Sequence, residues 1–394
     1  MRSFGFAGRF AAAVALAIGI GSVAASAQIM IVGNDQKPGV DKDGKPVVNG
    51  PGQDTLSIID ITRPDAPQMI ATIPLDNSVV GPPTNLAVTP NRELALVANS
   101  VNAVEKDGKY VLASDDRLFV IDLKARPPAV IATVKLGKRP SGMAINATGT
   151  LALVTNRDDG TVSVLSINGK EVKVTDTVTV GAGNDSVSAV AIAPNNKLAL
   201  VAKSAANKIA VLKIDEGKVT YDKQDLPVGI FPYNVAITPN GKLALTADNG
   251  NAGSSDGNVD TVSVIDLEAN PIRVIDHIAT GDSPEGLAIS PRGDIAVTIE
   301  ARGSNRPKDT WYYHPGGAVS VFRINGKKVT RVGEVTVGAL PEGAVFSADG
   351  SRLFVGNFLS KNMSVLRAGG TGLVDAGRTY DLPGQPASMR AGPQ

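Results

Sequence analysis

The sequence has 394 residues, no cysteine and a formal net charge of +1. The absence of cysteine excludes disulfides, thiolate metal sites and cysteine nucleophiles. The 39 basic and 38 acidic residues are interspersed, so the chain lacks the basic stripe that is typical of nucleic-acid-binding proteins.

The first 27 residues differ in kind from all that follow. Arg2 and Arg9 lie near the start, residues 10–20 form an apolar run, and Ala25-Ser26-Ala27 has the form of an A-x-A cleavage site. This pattern is typical of a secretory signal peptide, and the apolar run is shorter than the roughly 20 residues of a spanning helix. We therefore expect residues 1–27 to be removed. The mature chain, 28–394, would carry a formal charge of −1, be periplasmic or secreted, and have no membrane span.

Behind this segment the sequence repeats with a period of about 45 to 60 residues. Each unit predicts four short strands, the first often preceded by Gly-x-x-Pro and followed by a turn such as Pro239-Asn240-Gly241. Short β-branched strands bounded by Gly, Pro, Asn and Asp indicate β structure, and no helical periodicity is present. The predicted first strands are 85–89, 142–146, 189–193, 234–238, 286–290 and 343–347.

The two ends of the mature chain supply a seventh unit. Residues 30–34, 55–61 and 69–75 provide its second, third and fourth strands, and residues 384–390 carry the start of a first strand. The sequence thus predicts an all-β fold, a single seven-bladed β-propeller over 28–394 whose first blade is closed by the C-terminal strand. Such closure removes open sheet edges.

One repeat contains Leu153-Val154-Thr155-Asn156, and related segments end in Asn99, Asn357 and Asn34. These segments resemble the repeat of the YVTN family of bacterial β-propellers over nearly all of the mature chain. The resemblance implies the architecture. It does not choose an activity, because relatives of this kind include lactonases, other enzymes, subunits of amine dehydrogenases and proteins without a known role.

Four connections between second and third strands are long, namely 35–54, 100–116, 249–260 and 301–317. In a propeller these connections share one face, so we expect a binding face there. The ends of the second strands should line the channel mouth on that face, with the starts of the first strands beside them. The two expected rings are Asn34, Asn99, Asn156, Lys203, Asp248, Glu300 and Asn357, and Thr84, Asn85, Ser141, Ser188, Tyr233, Asn234, Glu285 and Glu342.

Carboxylate and amide oxygens of these rings are ligands that a hard cation such as calcium accepts. Asp248, Glu342 and Asn234 are the candidate ligands. The alternative is that the asparagines serve their own turns and that the carboxylates are solvated. The sequence demands no cofactor.

A second candidate region is the blade-six connection, which holds the only tryptophan, Trp311, beside Tyr312, Tyr313 and His314. Exposed aromatic rings can stack on a ligand or anchor a partner, or they can pin the loop to the propeller. The candidate ligand-binding residues are Trp311, Tyr312, Tyr313, Tyr233, Lys203 and Asn156, and the candidate catalytic residues are Glu300, Glu285, Arg302 and His314.

Three functions stay open on these grounds. The first is a non-catalytic exported scaffold, expected to be a monomer, that binds a small molecule, peptide or protein on its long-loop face. The second is a lactonase-type hydrolase with a central cation or carboxylate site. The third is an accessory subunit of a periplasmic redox complex. The scarcity of catalytic motifs favours the first.

Overall fold

The structure is a computed structural model that describes residues 1–2, 28–41, 45–78, 80–369 and 372–392. Residues 3–27, most of the predicted signal peptide, lie outside this range. In the described part of the chain, no helix is long and apolar enough to cross a membrane.

The described chain is all-β and forms a seven-bladed β-propeller. Blade one begins with strands β1 (Ile29–Asn34), β2 (Pro38–Val40), β3 (Pro46–Val48), β4 (Thr55–Asp60) and β5 (Gln68–Pro74). Blade two contains β6 (Leu86–Val88), β7 (Leu94–Lys106), β8 (Lys109–Asp122) and β9 (Ala129–Lys135). Blade three contains β10 (Pro140–Ile145), β11 (Leu151–Asn156), β12 (Thr161–Asn168) and β13 (Glu171–Thr179).

Blade four contains β14 (Val187–Ile192), β15 (Leu198–Lys203), β16 (Lys208–Asp215) and β17 (Lys218–Pro227), with short 3-10 turns at Gly183–Asp185 and Ser204–Ala206. Blade five contains β18 (Pro232–Ile237), β19 (Leu243–Asp248), β20 (Thr261–Asp266) and β21 (Arg273–Ala279). Blade six contains β22 (Pro284–Ile289), β23 (Ile295–Glu300), β24 (Ala318–Asn325) and β25 (Lys328–Thr336). Blade seven contains β26 (Pro341–Phe346), β27 (Arg352–Asn357), β28 (Asn362–Gly369) and β29 (Gly372–Asp381), and the last strand is β30 (Pro386–Ala391).

The last strand completes blade one, as predicted. The sheet order is β30-β1-β4-β5, and β30 runs antiparallel to β1 with Met389 opposite Val32. The C-terminal strand is therefore the innermost strand of blade one, and the ring is closed by hydrogen bonds between the two ends of the described chain.

Seven hydrophobic clusters hold the ring together, one between each pair of neighbouring blades. The second strand of each blade is packed on both faces, which explains apolar runs such as Leu151–Asn156, buried at every position. Outer strands are mostly exposed, with only a few buried or partly buried positions. Because every blade lies between two others, the core is distributed around the ring instead of lying at one centre.

In blades three to seven the inner strands begin two residues earlier than the repeat predicted, at a proline in four of these five blades, whereas the blade-two strand begins one residue later, at Leu86. Pro140, Pro232, Pro284 and Pro341 are first residues of inner strands. An inner strand has no neighbour on the channel side, so a residue without an N–H is tolerated at its start.

The long connection of blade two is not a loop. Strands β7 and β8 continue as a paired hairpin whose last pair is Lys106 with Lys109. Asp107 and Gly108 both have positive φ, 52° and 72°, as a two-residue turn that matches strand twist requires. In blade one the long connection holds the small β2–β3 hairpin.

Candidate functional site

The face that carries the long connections is also the face where inner strands start and second strands end. Pro140 pairs with Asn156 and Pro284 with Glu300, and blades one, four, five and seven have the equivalent pair. The two residue rings predicted from the sequence therefore lie next to each other at the mouth of the channel.

The asparagines of the second-strand ring turn away from the channel. Asn156 Nδ2 donates to Thr161 Oγ1 and to Ser163 Oγ, both at 2.9 Å, on the third strand of its own blade. Asn34 and Asn357 make the same pair of contacts in blades one and seven. The expectation that this ring lines the mouth is corrected for these residues, because their amides tie the second strand to the third.

Asp248 occupies the same position in blade five and is also directed into its own blade. Its carboxylate accepts hydrogen bonds from Thr246 at 2.6 Å, Thr261 at 3.0 Å and Ser263 at 2.6 Å. Burial raises its pKa, against the lowering effect of these hydroxyls. The residue serves as a buried acceptor between strands.

Glu300 has a comparable role in blade six. Its Oε1 accepts from Thr280 Oγ1 at 2.6 Å, Thr298 Oγ1 at 2.9 Å and the Gly281 N–H at 2.9 Å. Its Oε2 is buried without a hydrogen-bond partner. One oxygen of the carboxylate thus fixes the connection from blade five to blade six.

Lys203, the blade-four member of the ring, is neutralised within its own blade. Its ammonium lies 3.1 Å from Asp225 and 3.5 Å from Asp185. A lysine held between two carboxylates is already paired, so the structure gives it a local role.

The inner-strand ring is different in character. The equivalent residues around the mouth, from blade two to blade one, are Thr84, Ser141, Ser188, Tyr233, Glu285, Glu342 and Ala387. Hydroxyl groups line one part of the mouth. Two carboxyls line the part that blades six and seven form. Oγ1 of Thr84 and Oγ of Ser141 are buried and have no hydrogen-bond partner among the described residues. A buried hydroxyl is rarely left unpaired, so these two atoms retain hydrogen-bonding capacity at the mouth.

Arg157 directly follows Asn156 in the sequence, and its side chain extends over the inner-strand ring. Its Nε donates to Ser186 Oγ at 2.7 Å and its Nη1 to the Val80 carbonyl at 3.2 Å. The guanidinium carbon lies 6.0 Å from the centre of the Tyr233 ring, within the range of a cation–π contact.

The environment of Arg157 leaves its charge available. No carboxylate among the described residues forms an ion pair with it. Gly81 makes room beside it, since a methyl group there would lie 3.0 Å from Arg157 Nη1 and 2.6 Å from Ser141 Oγ. The cation therefore adjoins an unpaired hydroxyl. The sequence analysis did not single out Arg157, although it is the only arginine at this position of the seven repeats.

Glu285 is the acid of the inner-strand ring whose pKa lies near neutral pH, and Asp260 of the blade-five connection shares a pKa of about 7. Glu285 is 5% exposed, and burial raises its pKa to about 7, against the lowering effects of Ser283, Asn249 and Arg157. Ser283 Oγ donates to its Oε1 at 3.2 Å.

Glu342 occupies the matching place in blade seven. Its pKa is raised well above its ordinary value, first by burial and then by the charges of Glu285 and Asp35. A methyl group on Gly286 would overlap the Glu342 carbonyl oxygen, so glycine allows the two inner strands to approach. Because the charges of these two carboxyls interact, their protons come off in two steps that belong to the pair.

Tyr233 lies between Arg157 and the acids. It is 7% exposed, and burial followed by the charge of Glu285 raises its pKa. Its phenol therefore stays protonated and can donate a hydrogen bond.

The blade-six loop packs against the blade-five loop. Arg306 donates to the Ser255 carbonyl at 2.7 Å and to Ser254 Oγ at 2.6 Å, and Tyr312 Oη donates to the same carbonyl at 3.1 Å. Trp311 contacts Tyr312 edge to face at 5.1 Å but is 81% exposed. Tyr312 thus pins the loop, whereas Trp311 projects from it.

The remaining predicted residues do not join the acidic pair. Arg302 pairs with Glu334 of the outer strand at 2.8 Å, His314 is exposed and Tyr313 is partly buried. Asn234 Oδ1 accepts the N–H of Val235 at 2.8 Å. In the described ranges, no three His, Asp or Glu side chains converge as a metal site would require.

Neither a protein-family model nor a curated protein matches the sequence, so the YVTN resemblance rests on the repeat residues alone. Solved structures do match in fold. A Bacteroides fragilis protein described as a candidate 6-phosphogluconolactonase is 15% identical, with a TM-score of 0.68 over 94% of this chain and 99% of that one. The periplasmic gluconolactonase of Pseudomonas aeruginosa is 17% identical, with a TM-score of 0.67 over 93% and 99%. Hydrazine synthase of Kuenenia stuttgartiensis is 18% identical, with a TM-score of 0.59 over 80% and 90%. At these identities the likeness concerns the fold alone.

Proposed function

We propose that the protein is an exported hydrolase that opens a small lactone at the channel mouth. The observation that carries this proposal is the pair Glu285 and Glu342, a buried and a partly buried carboxyl on neighbouring inner strands whose charges interact. Arg157 lies nearby and has no ion pair among the described residues. A titrating acid–base pair beside a fixed cation is what hydrolysis of an ester-like bond requires near neutral pH.

The chemistry follows from the protonation states. Glu285, with a pKa of about 7, takes a proton from water as the water oxygen bonds to the lactone carbonyl carbon. Arg157 stabilises the negative charge that develops on the carbonyl oxygen. Glu342, which holds a proton, delivers it to the ring oxygen as the carbon–oxygen bond breaks. One water is consumed, and the product is an open-chain hydroxy acid.

The lining of the mouth favours a substrate rich in hydroxyl groups. The unpaired oxygens of Thr84 and Ser141 and the phenol of Tyr233 can each exchange hydrogen bonds with such a molecule. Two of the fold neighbours carry lactonase names, and both names are for gluconolactones, one of them phosphorylated. We therefore take an aldonolactone as the substrate class.

The test is enzyme-dependent opening of D-glucono-1,5-lactone above the spontaneous rate, followed as acid release at constant pH. Glu285→Gln should lower kcat/KM by about 10²- to 10⁴-fold. The control is Glu334→Gln, which removes a partly exposed carboxylate on β25 of the same blade and should leave the rate unchanged. Equal rates for all three proteins would refute the assignment of Glu285.

Non-catalytic binding at the same mouth is the second candidate. The specific observation behind it is that the hydroxyls of Thr84 and Ser141 are unpaired whether or not a reaction occurs. Saturable binding of gluconate without any lactone opening would favour this candidate over the hydrolase.

Export is part of the proposal and has its own test. The N-terminal sequence of the protein purified from its native host should begin at Gln28. An intact Met1 in the cytoplasmic fraction would contradict it.

A further inference from the structure

The opposite end of the channel has a different chemistry from the mouth. It is formed by the ends of the inner strands and by the turns that follow them, and most of the side chains that line it are aliphatic or proline. Two adjoining cavities of about 310 Å³ and about 270 Å³ lie there. The larger is at the lower end of the range that small-molecule sites usually have.

Two polar residues line this end of the channel, which we call the throat: Asn234 borders the smaller cavity only, and Arg390 is the one charged residue of both. Arg390 on β30 lies opposite Ile31, and it lines both cavities. The equivalent residues of the other six inner strands are Ala87, Ala144, Ala191, Ala236, Ala288 and Val345. A single arginine thus stands in a ring of small apolar side chains.

Arg390 has no counter-charge. No carboxylate of the described residues forms an ion pair with it, and no hydrogen bond from its guanidinium to the described chain is present. Burial lowers its pKa, and no neighbouring acid acts in the opposite direction. A partly buried guanidinium without a partner carries a desolvation cost that a bound anion would offset.

We propose that the throat is a second binding site, separate from the mouth, for a small organic monocarboxylate with a hydrocarbon body. The guanidinium offers a planar, two-pronged donor that matches a carboxylate. The alanine ring supplies the apolar surface for the body, and its small side chains leave the space that the body needs.

Benzoate is the probe, titrated calorimetrically into the full-length mature protein. Benzyl alcohol keeps the ring without the charge, acetate keeps the charge without the ring, and inorganic phosphate tests for a simple anion site. Benzoate should bind one to one, at least tenfold more tightly than each of the others. Arg390→Met should weaken benzoate about tenfold or more, whereas Arg157→Met, at the mouth, should not change it.

Two further variants keep the test decisive. Arg390→Lys keeps the positive charge but loses the two-pronged donor of the guanidinium, so this variant should bind benzoate with intermediate affinity. Ala236→Leu keeps the arginine and fills the cavity, so it should abolish binding even if Arg390→Met fails to fold. The proposal is wrong if benzoate gives no saturable signal, if Arg157→Met abolishes its binding, or if phosphate or acetate binds as tightly. None of these outcomes depends on lactone hydrolysis.

Discussion

Glu285 and Glu342 are the same residue of two successive repeats, each placed between a proline and a glycine at the start of an inner strand, and the charge on Glu285 raises the pKa of Glu342. The sequence Pro-Glu-Gly occurs in blades six and seven, so the pairing arises from the repeat itself. A single acid at the channel mouth would have no neighbouring carboxylate to raise its pKa.

The activity should depend on pH through Glu285. Because the carboxylate of Glu285 takes the proton from water, kcat/KM should rise with pH through about 7. It should fall again at the higher pH where Glu342 loses the proton that it delivers. The measurement is the pH profile of lactone opening, corrected for the spontaneous reaction. Glu342→Gln should remove the charge coupling and change the profile. A flat wild-type profile between pH 5 and 8 would contradict the role given to Glu285.

The same carboxyl should make stability depend on pH. Its pKa is about 4.5 in the unfolded chain and about 7 in the folded protein. Between these values the folded state holds a proton that the unfolded chain has released. The stabilisation is therefore complete below about pH 4.5 and is lost as the pH rises, by on the order of 3 kcal/mol. Urea unfolding at pH 5 and pH 8 should show a smaller loss for Glu285→Gln than for the wild type, and equal losses would count against the shift.

The asparagine ring should contribute to stability and not to activity. Asn156→Ala removes two hydrogen bonds to the third strand and leaves their buried partners unpaired, which should cost about 1 to 3 kcal/mol in the free energy of unfolding. Urea denaturation measures the loss, and the exposed Asn168→Ala on the same blade is the control. A fall in lactone opening by the folded Asn156→Ala protein would instead place this residue in the mouth.

The closure of the ring should depend on Met389. Its side chain is 1% exposed and packs in the cluster between blades seven and one. Met389→Ala should therefore destabilise the protein by about 2 to 5 kcal/mol. Met69→Ala, at a position 45% exposed on the outer strand of the same blade, is the matched control. If both variants unfold at the same urea concentration, β30 is not what holds the ring closed.

The blade-six loop should lose its protection when its anchor is removed. Arg306→Ala breaks the contacts with Ser254 and Ser255, and limited proteolysis should then cut within 301–317 faster. Arg302→Ala breaks only the contact with Glu334 and should leave the rate of cleavage closer to that of the wild type. Equal protection of the wild type and Arg306→Ala would show that other contacts hold the loop.

The repeat predicted most of the fold because each strand carries its own pattern and its own turn. The blade-two hairpin was the exception. The residues 106–109 are a hairpin signal in themselves, but an alignment of repeats treats an insertion as a loop. The pairing of β30 with β1 was predictable because the first unit lacked a strand that the end of the chain supplied.

Site residues could be predicted from the sequence only where they occupy a recognisable position of the repeat. Glu285, Glu342 and Tyr233 fall at one repeat position and were therefore found. Arg157 was missed because its role comes from contacts with Val80, Ser186 and Tyr233 in three other blades. The second-strand asparagines were placed in the right ring, but the sequence does not show which way a side chain turns.

The pairing of β1 with β30 joins residues from the two ends of the described chain, and bringing such distant segments together carries a large entropic cost before any contact repays it. Six blades can form as the chain emerges, but the first must wait for its inner strand. Until that strand arrives, β1 has an exposed edge that can pair with another molecule. The vulnerable period for aggregation should therefore last until β30 has been made and has paired with β1, and chains that lack β30 should be the ones that depend most on chaperones.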